Sequence, residues 1–357
     1  MKKDQTHPTP VIGASALQHL EKTLNNSKYI NARIFVLTDS HTIGKCLPLF
    51  ESIVLRAQEA EIIEVPSGAE NKDLDICKGV WLSLLELGAT RDSILINLGG
   101  GAVTDIGGFA AATFMRGMRY FNVPTTLMGM ADAGMGGKTG IDLEGYKNMV
   151  GAFAIPQGVY IYPPFLETLP DRELRSGFAE ILKYALIADE DLWNLLVKKK
   201  YSEITNWLPL LKKSAQIKMS VVELDPNEAG MRKVLNFGHT IGHALETLSS
   251  RKDKKPLNHG EAVAAGIICE SYLSWKMLNM PESLLGEISD VVLENFQWKA
   301  LPGDLNDLMP FLRSDKKNIN GEVCFTLIAG FGQVLINQTC PDEWISESLD
   351  YYSSLKH

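Results

Sequence analysis

The sequence predicts an α/β domain over residues 1–170, followed by a mostly α-helical domain over residues 171–357. In the first part, short apolar runs alternate with helical stretches, which is typical of a parallel sheet covered by helices. After Pro170, apolar residues recur at the three- and four-residue spacing of helices through several long segments. The length of 357 residues also corresponds to about two domains of ordinary size.

The strands predicted in the first part are short apolar runs that end in turn residues. They cover residues 33–39, 61–65, 93–98, 120–123 and 158–161. One helix is predicted over 74–87, and another over 106–113, after the three glycines at 99–101. Because helices separate the strands, we expect the strands to run parallel in one sheet.

Five helices are predicted in the second part, each from apolar residues at helical spacing. They cover residues 172–187, 204–224, 239–247, 260–278 and 282–294. Near the end of the chain, residues 322–329 and 333–337 flank the turn Gly330–Gly332, and this pattern predicts a β-hairpin.

Composition and charge narrow the class of protein. Hydrophobic residues make up 45% of the chain and charged residues 22%, so the composition is that of a folded globular protein. The 35 basic and 43 acidic residues leave a net charge of −8, which argues against a nucleic-acid or membrane-surface partner. The five cysteines are odd in number and widely spaced, which fits reduced thiols better than a set of disulfides. No stretch is apolar enough for a signal peptide or a membrane span. We therefore expect a cytoplasmic enzyme.

The three glycines at 99–101 follow a buried strand and precede a helix. Glycines at such a turn allow the backbone to approach a ligand, and the helix N-terminus offers free N–H groups to a pyrophosphate. The segment lacks the GxGxxG dinucleotide fingerprint, so a tight structural turn is an equally good interpretation. Four polar residues near strand ends are ambiguous in the same way, as cofactor ligands or as turn and cap residues: Asp39, Asp105, Thr125 and Thr126.

A second glycine-rich segment, residues 132–140, ends in Gly-Gly-Lys-Thr-Gly. It resembles the end of a P-loop, but Asp132 stands where that motif requires glycine, so we reject a Walker A site. Lys138 and Lys147, with Asn148, are predicted to be anion-binding groups on flexible loops. For each lysine taken alone, an ordinary surface residue is the competing interpretation.

Three of the seven histidines fall between residues 239 and 259, which favours a metal site. His239 and His243 are four residues apart on one helix face, and His259 begins the next long helix. Glu180 lies in an apolar helix, where a carboxylate is costly unless it is paired or binds a metal. One carboxylate with two imidazoles suits catalytic Zn²⁺, although helix histidines with ordinary polar partners would give the same pattern. The spacing leaves open whether His239 and His243 both bind the metal or one of them carries a proton.

Six segments of the sequence, taken in order, resemble the 3-dehydroquinate synthase family of sugar-phosphate cyclases. They are GGGAVTD at 99–105, RGMRYFNVPTTL at 116–127, DAGMGGKTGIDLEGYKNMVGAF at 132–153, LPDRELRSGFAEILK at 169–183, RKVLNFGHTIGHALE at 232–246 and NHGEAVAAGI at 258–267. The resemblance implies a Rossmann-like NAD-binding domain and a helical metal- and substrate-binding domain, related to iron-containing alcohol and glycerol dehydrogenases. It also implies NAD and Zn²⁺ or Co²⁺ as cofactors. The implied reaction converts 3-deoxy-D-arabino-heptulosonate 7-phosphate to 3-dehydroquinate and phosphate, in the shikimate pathway.

The same resemblance implies a role for each matched residue. Glu180, His239 and His259 match metal ligands, and His243 then matches a histidine that transfers protons and binds phosphate. The positions that match NAD-binding residues are Asp39, Glu70, Lys72, Gly100, Gly101, Asp105, Thr125, Thr126, Lys138 and Lys147. The positions that match substrate-binding or catalytic residues are Arg116, Asp132, Lys138, Asn148, Lys183, Lys218, Arg232, Asn236 and His243. Arg116 matches an arginine that reaches the site of a partner subunit, which implies a homodimer, and Lys316 or Lys317 supplies one more lysine.

Two runs depart from the family pattern, at Met130–Met135 and at Asp142–Tyr146, but the spacing from Lys138 to Lys147 is kept. We therefore expect an altered loop with the function retained. One competing interpretation is another cyclase, which forms 2-deoxy-scyllo-inosose or acts on a heptulose 7-phosphate; such substrates lack the carboxylate. Another is a metal-dependent dehydrogenase of the glycerol type, which lacks the lysine-rich segment. A non-catalytic metal-binding module would have no use for so many cationic side chains.

Overall fold

Residues 6–144, 146–314 and 318–356 are described by a computed structural model of the chain. Lys316 and Lys317, one of which was expected to supply a further lysine, lie outside the described residues. Within the described ranges, no helix combines the length and the apolar character that crossing a bilayer requires.

Internal contacts divide the chain into two units. The first unit contains the residues up to Leu174 and the segment Trp207–Glu223. The second contains Arg175–Asn206 and the residues from Leu224 onward. A single boundary was predicted after residue 170, whereas the chain enters the second unit at Arg175 and returns once to the first.

A parallel sheet of four strands forms the centre of the first unit, within the described part of the chain. The strands of this unit are β1 (Val11–Ile12), β2 (Ile34–Asp39), β3 (Glu61–Val65), β4 (Ile94–Gly99), β5 (Arg119–Pro124), β6 (Lys138–Leu143), β7 (Tyr146–Phe153) and β8 (Tyr160–Ile161). The sheet has the order β3–β2–β4–β5. All residues of β2 and β4 are buried, as expected for apolar strands covered on both faces. The predicted parallel sheet is confirmed. The run at 158–161 forms the short β8, which pairs with β1, and a single parallel bridge between Val159 and Asn122 connects this run to β5.

Helices cover the sheet. They are α1 (Ala16–Leu24), α2 (Thr42–Lys45), α3 (Leu47–Ile53), α4 (Leu74–Glu86) and α5 (Gly101–Thr113). Helix α4 corresponds to the prediction at 74–87. Helix α5 begins at Gly101, earlier than the predicted residue 106, because the extended Gly100 is its N-cap and the helix follows directly on the glycine turn. Val103 and Ile106 of α5 belong to the same buried cluster as Phe35 of the sheet.

Strands β6 and β7 form an antiparallel hairpin where flexible loops were expected around Lys138, Lys147 and Asn148. That expectation was wrong because β7 is largely exposed and lacks the apolar run by which a buried strand is recognised. Glycines allow the two strands to approach: a Cβ at Gly140 would lie 2.7 Å from the carbonyl oxygen of Val150. Lys138 begins β6, and Lys147 and Asn148 lie within β7.

The second unit is mainly helical. From the boundary onward the helices are α6 (Asp171–Ala188), α7 (Glu190–Leu196), α8 (Leu208–Leu224), α9 (His239–Lys252), α10 (His259–Leu278), α11 (Glu282–Asn295), α12 (Leu305–Arg313) and α13 (Asp342–Ser354). The five predicted helices correspond to α6, α8, α9, α10 and α11, although α8 belongs to the first unit up to Glu223. Helix α8 begins later than predicted, because Pro209 is tolerated only in the first turn of a helix. The predicted hairpin is formed by β9 (Phe325–Gly330) and β10 (Gln333–Gln338).

Candidate metal centre and anion-binding residues

Glu180, His239 and His259 converge on one point in the second unit. Their candidate ligand atoms all lie within 4.8 Å of one another. Nε2 of His239 lies 3.3 Å from Oε1 of Glu180, and Nε2 of His259 lies 3.1 Å from the same oxygen. A carboxylate oxygen with two imidazole nitrogens is a donor set typical of catalytic Zn²⁺. The three residues therefore fit a divalent cation.

Helix ends hold the two imidazoles in place, because His239 and His259 are the first residues of α9 and α10. The buried carboxylate of Glu270 accepts hydrogen bonds from the backbone N–H groups of Gly238 at 2.7 Å and Ile241 at 3.0 Å. These are N–H groups that a helix leaves without partners in its first turn, so Glu270 anchors the start of α9. Nδ1 of His239 lies 3.0 Å from the carbonyl oxygen of Phe237. That acceptor places the ring proton on Nδ1 and leaves Nε2 free to bind a metal.

Burial and neighbouring charges shift the pKa values of all three candidate ligands. Burial would raise the pKa of Glu180, but Lys183, whose Nζ lies 2.5 Å from Oε2, and His239 hold that pKa well below its usual range. Burial lowers the pKa of His239, so this imidazole is neutral. Burial would also lower the pKa of His259, but hydrogen bonds to Glu180 and Glu246 raise it to about 10. A bound cation must displace the proton of His259, so metal affinity should fall as the pH falls.

His243 lies beside the three candidate ligands. In the part of the chain that the structure describes, the candidate ligand group contains His239 and His259 but not His243. The His243 ring centroid is 5.2 Å from that of His239 and 5.8 Å from that of His259. Of the two possibilities that the spacing left open, the geometry favours His239 as a ligand and His243 as a proton carrier.

Glu246 contacts the candidate ligand His259, although no role was predicted for Glu246 from the sequence. Its Oε2 lies 3.1 Å from Nδ1 of His259, whose Nε2 faces Glu180. A carboxylate on the far nitrogen orients a ligating imidazole and makes it a stronger donor. A signal was available, because Glu246 follows His239 by seven residues and His243 by three, on the same face of α9.

Replacing Glu246 by alanine is expected to weaken Zn²⁺ binding about ten- to a hundredfold, since His259 would lose the group that orients it. Glu246→Gln keeps an acceptor for the ring N–H and should give an intermediate affinity. Competition with a chelating dye measures both dissociation constants. Glu287→Gln is the matched control, because Glu287 is exposed in the same unit and accepts a hydrogen bond from Trp193 instead. Unchanged affinity in Glu246→Ala would contradict this role.

Lys72 joins two residues from other segments of the first unit. Its Nζ donates to Oδ2 of Asp105 at 2.9 Å and also to Oδ1 of Asn148. Burial would lower the pKa of Lys72, but Asp105 and Asp142 outweigh burial and raise it, so the ammonium group is charged. Burial raises the pKa of Asp105 although Lys72 opposes that shift. Glu70, two residues before Lys72, is exposed.

The carboxyl edge of the sheet contains the glycine turn and several of the predicted cofactor ligands. Asp39 accepts hydrogen bonds from the backbone N–H groups of His41 and Thr42, each at 2.9 Å. A Cβ at Gly100 would lie 2.9 Å from Cγ2 of Thr126, so any larger residue there would require the Thr126 side chain to move. These contacts support the turn and cap interpretation and are compatible with a ligand at the N-terminus of α5. Gly101 and Thr125 lie at the same edge.

Two further lysines of the first unit form ion pairs with aspartates. Nζ of Lys218, in α8, lies 3.0 Å from Oδ1 of Asp132 and donates to its carbonyl oxygen at 2.7 Å. Lys218 is 5% exposed, so its ammonium group is held in place. Nζ of Lys147 lies 3.3 Å from Oδ2 of Asp142. Lys138 is exposed at the start of β6.

A tight loop before α9 holds Arg232 and Asn236 in the second unit. The Asp225 carboxylate accepts hydrogen bonds from three backbone N–H groups of this loop, including that of Arg232 at 3.0 Å. The side chain of Arg232 is buried and donates to the carbonyl oxygen of Pro226 at 2.8 Å. Asn236 donates to Oε1 of Glu228 at 3.2 Å. Glu228 was not predicted, because it has a left-handed backbone, with φ of 57°, in an irregular loop that no periodic sequence pattern marks.

Arg116 lies on a strained turn of the first unit. Met115 and Arg116 both have left-handed backbone conformations, with φ of 49° and 65°, and Gly117 follows with φ of 119°. Consecutive non-glycine residues in this region cost energy and are most often found at functional sites. Arg116 is exposed, which leaves its guanidinium accessible to a second chain.

Both halves of the chain match known protein families. Residues 62–176 match the family model described as 3-dehydroquinate synthase N-terminal, and residues 177–318 match the one described as 3-dehydroquinate synthase C-terminal. A 3-dehydroquinate synthase of Parabacteroides distasonis is 43% identical over 350 residues, which cover 96% of this chain and 97% of that protein.

Solved structures share the fold over nearly the whole chain. A structure of 2-epi-5-epi-valiolone synthase from Streptomyces hygroscopicus subsp. jinggangensis 5008, with NAD+ and Zn2+ bound, has a TM-score of 0.86 and 25% identity, and the match covers 100% of this chain and 99% of that one. An iron-containing alcohol dehydrogenase from Thermotoga maritima has a TM-score of 0.63 and 14% identity, with 98% and 99% covered. The predicted fold class, including its relation to iron-containing dehydrogenases, is confirmed.

Proposed function

The chain belongs to the 3-dehydroquinate synthase family, and we propose that its two residue sets carry out the reaction of that family. The reaction converts 3-deoxy-D-arabino-heptulosonate 7-phosphate to 3-dehydroquinate and phosphate, in the shikimate pathway to aromatic amino acids. One observation carries the proposal: Glu180, His239 and His259 converge as a ligand set in a chain that matches both family models.

The cofactors are NAD and a divalent cation, either Zn²⁺ or Co²⁺. Bound NAD would supply an acceptor for a hydride that is later returned, and a bound cation would supply a Lewis acid at the hydroxyl oxygen of the carbon that is oxidised. We assign the cation to Glu180, His239 and His259. We assign NAD to Asp39, Glu70, Lys72, Gly100, Gly101, Asp105, Thr125, Thr126, Lys138 and Lys147. The related valiolone synthase structure, with NAD+ and Zn2+ bound, supports both cofactors.

The substrate carries a carboxylate and a phosphate, so binding it requires several fixed cations. Arg232 can offer two parallel N–H groups to a carboxylate, and its backbone is already held by Asp225. Lys183 and Lys218 supply buried ammonium groups that lose little entropy when an anion binds. We assign the remaining substrate contacts to Lys138, Asn148, Asp132 and Asn236, and to Arg116 of a partner subunit.

We assign proton transfer to His243. Its ring lies 5.2 Å from that of His239 and 5.8 Å from that of His259, between centroids, so it stands next to the metal ligands. Imidazole is the side chain whose ordinary pKa suits both acceptance and donation of a proton near neutral pH. Oxidation of the substrate acidifies a neighbouring C–H bond, and loss of that proton with departure of phosphate is the step that needs such a group.

We further propose that the protein is a cytoplasmic homodimer. The exposure of Arg116 on its strained turn supports action on a second copy of the chain. The five cysteines, Cys46, Cys77, Cys269, Cys324 and Cys340, are all free thiols. Free thiols without disulfides are usual in a reducing compartment.

The reaction is tested by following phosphate release from the heptulosonate phosphate with purified protein. With NAD and Zn²⁺ present, we expect phosphate and 3-dehydroquinate in equal amounts without accumulation of NADH, because the hydride is returned. A chelator should abolish turnover, and Zn²⁺ or Co²⁺ should restore it. Absence of phosphate release with both cofactors present would refute the proposal.

Two substrate controls separate the competing functions. A heptulose 7-phosphate without the carboxylate should release phosphate far more slowly, because Arg232 would then have no anion to bind. Equal or faster release would instead indicate the other type of cyclase. Net formation of NADH with glycerol would indicate a dehydrogenase.

A further inference from the structure

The carboxylate of Asp142 contacts three of the residues assigned to cofactor and substrate, although no role has been assigned to Asp142 itself. Its Oδ2 lies 3.3 Å from Nζ of Lys147, and its Oδ1 lies 3.7 Å from Nζ of Lys72. Oδ1 also accepts a hydrogen bond from the backbone N–H of Asn148 at 2.7 Å. The Asp142 side chain is 13% exposed, so the carboxylate itself is largely shielded from water.

The backbone of the hairpin directs Asp142 toward these partners. The pairing of β6 with β7 shifts register between Ile141 and Leu143, which places Asp142 at an irregularity of the β-bulge type. Such bulges change the direction of a side chain and are common beside active sites. Asn148, opposite, has a left-handed backbone with φ of 54°, a conformation that asparagine adopts more readily than most residues.

Lys72 is tied to the same hairpin from a distant segment. The backbone N–H of Asp142 donates to the carbonyl oxygen of Lys72 at 2.7 Å, and the Lys72 ammonium donates to the side chain of Asn148. Lys72, Asp142 and Asn148 thus form a closed set of hydrogen bonds across three parts of the first unit. Because each of the three residues is held by the other two, a ligand that binds one of them also depends on the position of the others.

Electrostatics also explains why a carboxylate is needed at position 142. Lys72 and Lys147 carry the same charge, and Lys147 acts to lower the pKa of Lys72. The Asp142 carboxylate lies within 4 Å of both ammonium groups and offsets their repulsion. Without it, less negative charge would offset this repulsion, and the two ammonium groups would be less well placed for a shared anion.

We propose that Asp142 is a positioning residue that, with the help of its partner Asn148, holds Lys72 and Lys147 in the geometry that binds the anionic dinucleotide. This inference rests on the proposed function, because that function assigns the two lysines to NAD. Asp142 acts through these neighbours, so its loss should affect the binding of the dinucleotide more than the chemical step.

The test is the affinity of Asp142→Asn and Asp142→Ala for NADH, measured by the fluorescence of the bound nucleotide. We expect the NADH dissociation constant to rise about tenfold or more in Asp142→Asn, which loses the charge but keeps an acceptor for the Asn148 N–H. A larger rise is expected in Asp142→Ala. At saturating NAD, kcat should stay within about threefold of the wild type while KM for NAD rises. Zn²⁺ affinity should not change, because the metal ligands belong to the second unit.

Asp92→Asn is the matched control, because Asp92 is 89% exposed and its nearest cation, Arg119, is 3.8 Å away. An NADH affinity of Asp142→Asn equal to that of this control would overturn the proposal. So would a fall in kcat with KM for NAD unchanged.

A double-mutant cycle separates the proposed coupling between Asp142 and Lys147 from effects that the two residues have independently. Asp142→Asn should cost much less NADH affinity in a Lys147→Met background, because one of the two repelling lysines is already gone. Additive losses would contradict the proposed positioning. Binding of NADH is measured without turnover, so failure of the phosphate-release assay and failure of this inference are separate outcomes.

Discussion

His239→Ala is expected to remove the bound metal, whereas His243→Ala is expected to retain it and lose turnover. His239 contributes Nε2 to the ligand set with Glu180 and His259, while His243 stands outside that set with its ring 5.2 Å from that of His239. Loss of one of three protein ligands leaves too few donors for tight binding. Loss of a positioned acid–base group typically costs about 10²–10⁴ in rate.

The contrast is measured as metal content after dialysis, together with the rate of phosphate release. Added Zn²⁺ should partly rescue His239→Ala and should not rescue His243→Ala. His19→Ala is the control, because His19 lies in the first unit and its Nδ1 bonds to the backbone carbonyl of Ser15. If His243→Ala lost its metal to the same degree as His239→Ala, both histidines would be ligands and the assignment would be wrong.

Gly266→Ala is expected to destabilise the second unit and to lose the metal, although Gly266 is not a ligand. A Cβ at Gly266 would lie 2.0 Å from the carbonyl oxygen of Gly238 and 2.8 Å from the backbone nitrogen of Gly242. Both neighbours are backbone atoms, which cannot turn aside as a side chain can. The extra methyl group must therefore push α9 and α10 apart, and these helices carry His239 and His259. Overpacking of this kind costs about 1–3 kcal/mol or more.

Thermal unfolding and Zn²⁺ competition measure the two effects in the same samples. Gly286→Ala is the matched control, because Gly286 lies within α11 and a Cβ there would meet nothing within 4 Å. That control is expected to stabilise the helix by up to about 1 kcal/mol, since alanine is the better helix former. A Gly266→Ala protein with wild-type melting temperature and metal affinity would show that the helices are not held at this spacing.

Much of the fold was readable from local patterns. Buried strands such as β2 and β4 are continuous apolar runs, and long helices such as α6 and α10 carry apolar residues at helical spacing, so both were expected near their observed positions. The hairpin β6–β7 was missed because β7 is largely exposed and has no buried run. The periodicity of apolar residues indicates which face of an element is buried, and a strand that is exposed on both faces has no such periodicity.

The residue types of the metal centre were equally visible, as a buried carboxylate and clustered histidines, but their roles were not. Spacing alone could not choose between His239 and His243 as ligands, since both lie on one face of α9. The choice depends on Glu180, which is 79 residues from His259 along the chain and yet 3.1 Å away. Asp142 and Glu246 were overlooked for the same reason, because each matters through a partner from another element. Local sequence encodes burial and helix or strand geometry through short-range sterics, whereas distances between remote side chains follow from the path of the chain and the packing of its core.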